Sequence, residues 1–150
     1  MTYAITSQTS CYEKNYFASL AILTLTACSK DFLKKYDDRI QGNWYISKVN
    51  RVGIGGNFDE LPFREGSFNF NGDGTLTYTD ELDNVSNGSW DIQKRNINGE
   101  VIRTFQITTV DFNTQQVRAE FYDDMQFRST DHFVATINTS FRSFVTHFRR

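Results

Sequence analysis

From Ile40 onward, turn-forming residues interrupt the chain about every ten residues, and the stretches between them alternate apolar with polar side chains. That rhythm leaves room for short strands and almost none for helices. Trp44, Ile46 and Lys48 alternate with Tyr45, Ser47 and Val49, which predicts a first strand ending at the Gly53-Ile54-Gly55-Gly56 break. Ser67-Phe68-Asn69-Phe70, Asn71-Gly72-Asp73-Gly74 and Thr75-Leu76-Thr77-Tyr78 read as strand, tight turn and strand, since Asn-Gly and Asp-Gly supply the positive φ that a hairpin turn requires. A further strand is expected from Ser89-Trp90 after Asn87-Gly88, then another over Val101 to Val110 after Asn98-Gly99. Val117 to Phe121, Phe127, His132 to Ile137 and Phe141 to Phe148 complete the series, with breaks at Asn113-Thr114, Asp123-Asp124 and Asn138-Thr139-Ser140. The expectation is an all-β, antiparallel barrel or sandwich of about eight strands, built mostly from hairpins.

The segment before this pattern has a different character. Lys14 is followed by an apolar or small run, Tyr16 to Ala27, that closes on Leu25-Thr26-Ala27-Cys28. A basic residue, an apolar stretch and small residues before a cut form the order of a secretory signal, and the run is shorter than the ~20 residues that span a bilayer as a stable helix. The sequence around Cys28 resembles a bacterial lipobox, at which the cysteine is acylated and the chain is cut before it. The resemblance implies a cleaved signal helix over 1–27, a tether over 28–39 and a domain over 40–150. It also implies a bilayer partner reached through acylated Cys28, in the envelope of a diderm bacterium, with Ser29 suiting the outer membrane. Two or three acyl chains hold a protein stably where one does so only marginally.

Charge and composition narrow the rest. The chain has 150 residues and a formal net charge of -2, which argues against a nucleic-acid partner. Residues 1–27 hold one acid, Glu13, and one base, Lys14, so processing leaves that balance unchanged. Of the two cysteines, Cys11 falls in the removed segment and Cys28 is acylated, so no disulfide is expected. The arginines Arg95, Arg103, Arg118, Arg128, Arg142, Arg149 and Arg150 read as scattered over a solvated face, the last two as a frayed end.

Gly42-x-Trp44 stands at the start of the first strand, just after a short lead in which Phe32, Leu33 and Tyr36 recur at helical spacing. With Phe68-x-Phe70, Asp73-Gly74-Thr75, Gly88-Ser89-Trp90 and Phe144-x-x-x-Phe148 in order behind it, residues 40–150 resemble the lipocalin-like domains of bacterial lipoproteins. The resemblance implies a lipocalin-like β-barrel whose narrow end is closed by Gly42 and Trp44, with an arginine, Arg149 or Arg142, lying across the tryptophan ring. It implies further that aromatic side chains, among them Phe70, Tyr78, Trp90, Phe105 and Phe121, line a mouth that takes a small apolar or amphipathic ligand.

Other chemistry is sparse. His132 and His147 fall in the last two strands, where a hairpin turning at Asn138–Ser140 brings them to the same end, but no third ligand or nucleophile accompanies them. Asn71 to Thr75 reads as a turn, because an EF-hand loop counted from Asn71 would need a glutamate where Leu82 stands. Asp80-Glu81, Asp83 and Asp123-Asp124 read as solvated turn carboxylates. No catalytic residue, metal or cofactor is expected. The function expected is reversible capture of a small apolar ligand by an anchored barrel; the alternative is an interaction module with a filled barrel that engages a protein or glycan.

Overall fold

A computed structural model describes residues 35–53 and 61–150. The signal, Cys28 and the 54–56 part of the expected first break lie outside these residues. A five-residue helix, α1 (Tyr36–Ile40), leads into nine strands: β1 (Gly42–Gly53), β2 (Ser67–Phe70), β3 (Thr75–Thr79), β4 (Val85–Ile97), β5 (Glu100–Asp111), β6 (Gln116–Tyr122), β7 (Asp124–Phe127), β8 (His132–Asn138) and β9 (Arg142–Arg149). All belong to one antiparallel sheet in the order β6-β5-β4-β3-β2-β1-β9-β8-β7. The all-β expectation holds. The closed barrel of about eight strands is corrected to a nine-stranded sheet whose ladder stays open between β6 and β7.

The opening has a local cause. β6 and β7 are the two edges of the ladder, yet only Asp123 separates them in the chain. Tyr122 is the last residue paired to β5, opposite Phe105. The Asp123 N–H then donates to the Thr136 carbonyl at 2.8 Å, and its carboxylate accepts the Asn138 N–H at 2.6 Å. These bonds draw the chain from the edge of β5 to the edge of β8. One residue can cross from edge to edge only if the sheet curls until its edges meet, and β5 accordingly lies against β7, and β6 against β8.

Two glycines differ from their expected roles or set the entry. Gly42 (φ +104°) turns the chain from α1 into β1, a conformation glycine adopts without the Cβ penalty. Gly88 was expected to end a turn before Ser89, but β4 begins at Val85 and runs through it. A Cβ there would collide with the Thr108 carbonyl of β5, so this glycine permits close approach of two strands. The Asn98-Gly99 turn forms as expected, with φ of 53° and 85°, the backbone of a two-residue hairpin matched to strand twist.

The core fills the concave face. Trp44 and Ile46 of β1, Phe68 and Phe70 of β2, Leu76 and Tyr78 of β3, Phe105 and Ile107 of β5, and Phe133 and Phe148 of β8 and β9 are all buried. Burying one such side chain stabilises by roughly 1.5–3 kcal/mol, which makes this face the main source of stability. Alternation fails in β1, where a bulge between Ile46 and Lys48 makes Ser47 the extra residue. Lys48, expected to share a face with Trp44 and Ile46, is thereby turned outward beside His147. Among the described residues no helix is long and apolar enough to cross a membrane.

Candidate functional site

At the end where α1 enters the sheet, Trp44 is almost wholly buried and its indole Nε1 donates to the Ile40 carbonyl at 2.5 Å. Its ring meets Phe133 edge-on, centroids 4.7 Å apart. Arg150 covers the ring with its guanidinium carbon 4.5 Å from the centroid, and one nitrogen donates to the carbonyls of Arg39 at 2.8 Å and Gln41 at 2.7 Å. Gly42 and Trp44 thus lie at the start of β1 beside α1, and the arginine on the tryptophan ring is Arg150. Arg149 follows inward-facing Phe148 on β9 and therefore points out, opposite Tyr45 and His132. Arg142 lies at the far end of β9, 5.4 Å from the Phe144 ring. Nor is Arg150 a frayed residue, since its cation meets the carbonyl-rich end of α1.

The five aromatic residues expected to line a mouth separate into three groups. Phe70, Tyr78 and Phe105 are buried in ring contacts: Phe70 with Phe105 at 5.8 Å, Tyr78 with Phe68 at 4.8 Å, and Phe105 with Phe148 at 6.4 Å. The last contact joins β5 to β9, so rings bridge the interior from one wall to the other. Trp90 packs edge-on against Phe70 and donates its indole N–H to the Asn71 carbonyl at 3.0 Å. Phe121 faces outward, opposite Gln106, and lies on the convex side.

Phe121 reveals an inverted strand. The expectation that Phe121 lines the mouth would put Val117 and Ala119, which alternate with it, on the inner side of β6. The observed register, with Tyr122 opposite Phe105, places Arg118, Glu120 and Tyr122 on the concave side instead. Tyr122 is fully buried and stacks on Phe105 at 5.6 Å; that large ring determines the choice of face. Glu120 is carried inside with it, only 5% exposed, and accepts the Tyr122 hydroxyl at 2.5 Å through Oε2. Burial lifts its carboxyl to about 7, against the lowering effect of that hydrogen bond. Its Oε1, Thr109 Oγ1 and Thr146 Oγ1 are buried polar atoms without a hydrogen-bond partner.

At the opposite end from α1, residues 61–66 pass over the concave face. Phe63 is wholly buried there, meeting Phe68 at 5.4 Å and Tyr78 at 5.0 Å, and Tyr78 donates its hydroxyl to the Glu65 carbonyl at 3.0 Å. Neither Phe63 nor Glu120 was singled out in the sequence. Beside this segment lies an open cleft of about 340 Å³, lined by Leu61, Pro62, Arg64, Tyr78, Glu81 and Arg118 among others. Glu81 is held above its ordinary carboxyl range, chiefly by a side-chain hydrogen bond with Glu65.

The turn carboxylates are occupied locally. Asp73 accepts the Thr75 N–H at 2.9 Å and its hydroxyl at 2.6 Å, and Asp80 accepts the N–H groups of Leu82 and Asn84, each at 2.9 Å. The histidines do meet: His132 Nε2 lies 3.1 Å from His147 Nδ1, and the rings stack with centroids 5.3 Å apart. Among the described residues no three His, Cys, Asp or Glu side chains group as a metal site. The chain matches no protein-family model, no curated protein and no solved structure.

Proposed function

We propose that this chain is a lipid-anchored envelope protein whose lipocalin-like domain works as an interaction module, engaging a protein partner through the outer face of β6. The observation that carries the reading is the inverted edge strand. It buries a glutamate while Val117 and Phe121 stay outside, 65% and 42% exposed, with Phe112 of the adjoining turn 73% exposed. An edge strand with an apolar outer face is costly in water and open to association. The bridged aromatic interior, plugged by Phe63, favours this module over capture of an apolar ligand deep inside the sheet. Support for the lipocalin-like reading is the short helix before β1, the Gly42-x-Trp44 start and the arginine on the Trp44 ring. Support for the anchor is the Leu25–Cys28 signal alone.

Replacing Val117 and Phe121 with serine tests the module. Both side chains are exposed, so the melting curve should hold while a partner recovered with the unaltered protein is lost. A partner retained by the folded double variant sinks the reading. The anchor is tested separately by Cys28→Ser, which should abolish acyl labelling and processing. A second reading, capture of a small amphipathic ligand, is favoured by the cleft of about 340 Å³ that Arg118 and Tyr78 line. Native mass spectrometry of protein purified from its host distinguishes the two, since a copurified ligand of fixed mass would establish the second.

A further inference from the structure

The bulge at Ser47 has an effect on the convex side. It turns Lys48 and Asn50 of β1 outward against β9, where Lys48 pairs with His147. The Asn50 amide nitrogen lies 3.0 Å from His147 Nε2, and His147 Nδ1 lies 3.1 Å from His132 Nε2 on β8. Arg149 follows on β9, opposite His132. Beside each other, the two imidazoles feel the cations Lys48, Arg128 and Arg149, with Asp131 the one acid, acting on His132. Basic residues that read as scattered in sequence are therefore gathered from β1, β9 and the β7–β8 turn around a stacked histidine pair.

We propose that Lys48, Asn50, Arg128, His132, His147 and Arg149 form a binding site for a phosphate-type oxyanion. The sign of the surrounding charge selects the ligand. Two imidazole nitrogens 3.1 Å apart are spaced to grip a divalent metal, whose bonds to imidazole are about 2.0–2.1 Å long, but three flanking cations oppose one. An oxyanion meets those cations, the Asn50 amide and whichever imidazole N–H groups face it. Asp131 is diverted by the Ser129 hydroxyl, which donates to its carboxylate. On β7, Asp124 is likewise engaged, accepting the Gln126 amide at 2.6 Å, and Tyr45 faces out beside Arg149.

The histidine pair makes the site responsive to pH. With the Asn50 amide donating to His147 Nε2, His147 Nδ1–H donates to His132 Nε2 and both rings are neutral. Burial and the neighbouring cations hold both below the ordinary histidine range. A bound anion offsets the cations and favours protonation; by linkage, protonation strengthens anion binding by the same factor. The chemistry does not distinguish a phospholipid headgroup from a free oxyanion, so the test has an arm for each.

The test follows the imidazole proton resonances of the full chain against pH, with sulfate as probe because its charge is constant over the range. Sulfate at saturation should raise the pKa of both histidines by about one, which corresponds to roughly tenfold tighter binding for each proton taken up and about a hundredfold for the doubly protonated pair. Lys48→Gln with Arg149→Gln should abolish that rise while the fold persists. Sedimentation with vesicles separates the sources. Binding to phosphatidylglycerol vesicles at pH 6, displaced by sulfate and absent with phosphatidylcholine, assigns the headgroup; a sulfate response without vesicle binding assigns the free anion. Histidine titrations that sulfate leaves no different from a chloride control of equal ionic strength overturn the site. So does a stoichiometric response to zinc in place of sulfate.

Discussion

Arg150 lies over the Trp44 ring with its guanidinium carbon 4.5 Å from the centroid while donating to two backbone carbonyls at the C-terminal end of α1, those of Arg39 and Gln41. One side chain thus ties the last strand, the first strand and the helix together. Contact of a cation with an aromatic face contributes about 0.5–2 kcal/mol, and a charge-assisted hydrogen bond somewhat more when shielded. Arg150 is exposed, so solvent reduces both. Arg150→Ala should destabilise the domain by about 1–3 kcal/mol, and Arg150→Lys by less. Thermal unfolding measures both, and Arg149→Ala, which leaves the clamp intact, should shift the midpoint much less. Equal losses at 149 and 150 would contradict the assignment.

Glycine 88 should tolerate no side chain. A Cβ there would overlap the Thr108 carbonyl, so Gly88→Ala must push β4 from β5 near the open end of the longest hairpin. The expected loss is about 1–3 kcal/mol or more, the range for overpacking, seen as a lowered denaturation midpoint. Gly99→Ala tests a different cause, the strain of a side chain at φ 85°, with open space around it. Its cost is backbone strain alone, about 1 kcal/mol, and the larger effect should fall at 88.

These cases mark what was legible in the sequence. Alternation and turn residues located the strands, and the order of hairpins followed from them, because both are local properties of a few residues. The tryptophan end was legible as a motif, but its arginine was misplaced by one residue, since in a strand a single step reverses the face. The same sensitivity explains β6. Phe121 belongs to the more apolar face of that strand, and only the pairing of Tyr122 with Phe105 turns it outward. The bulge at Ser47 and the buried Glu120 have no local signature, because partners distant in the chain create both. The basic patch was hidden for that reason too: Lys48, Arg128 and Arg149 come together only through the β1–β9 and β8–β9 ladders.

Phe63 should act as the plug of the open end. It is wholly buried against Phe68 and Tyr78, and Phe63→Ala should cost about 3–5 kcal/mol through lost burial and the cavity left behind. The variant should also bind an environment-sensitive apolar dye under native conditions where the unaltered protein does not. Equal dye binding by both folded proteins would show that apolar molecules already reach the interior, and would favour ligand capture over the interaction module.

Glu120 should cost the folded chain stability as pH rises from 4.5 to about 7. Its carboxyl ionises near 7 in the folded chain rather than at the ordinary 4.5, because burial penalises the charge. A raised folded value means that its contribution is fully present below the unfolded value, is lost progressively as pH rises from 4.5 to about 7, and does not change further above that. At about 1.4 kcal/mol for each pH unit between the two values, the loss amounts to about 3 kcal/mol. His132 and His147 act in the opposite sense. Their values are lowered by burial first, then by Arg149 and Lys48 respectively. Their contribution is present above the ordinary histidine value and is lost as pH falls through the lowered ones. Glu120→Gln removes only the first effect and keeps an oxygen that can accept the Tyr122 hydroxyl. The unaltered protein should therefore lose melting temperature relative to Glu120→Gln as pH rises from 5 to about 7, and the difference between the two should stay constant from 7 to 9, while both share the acidic decline. A difference between the two that does not change from pH 5 to 7 would mean that Glu120 ionises at its ordinary value, and that the concave side of β6 is open to water.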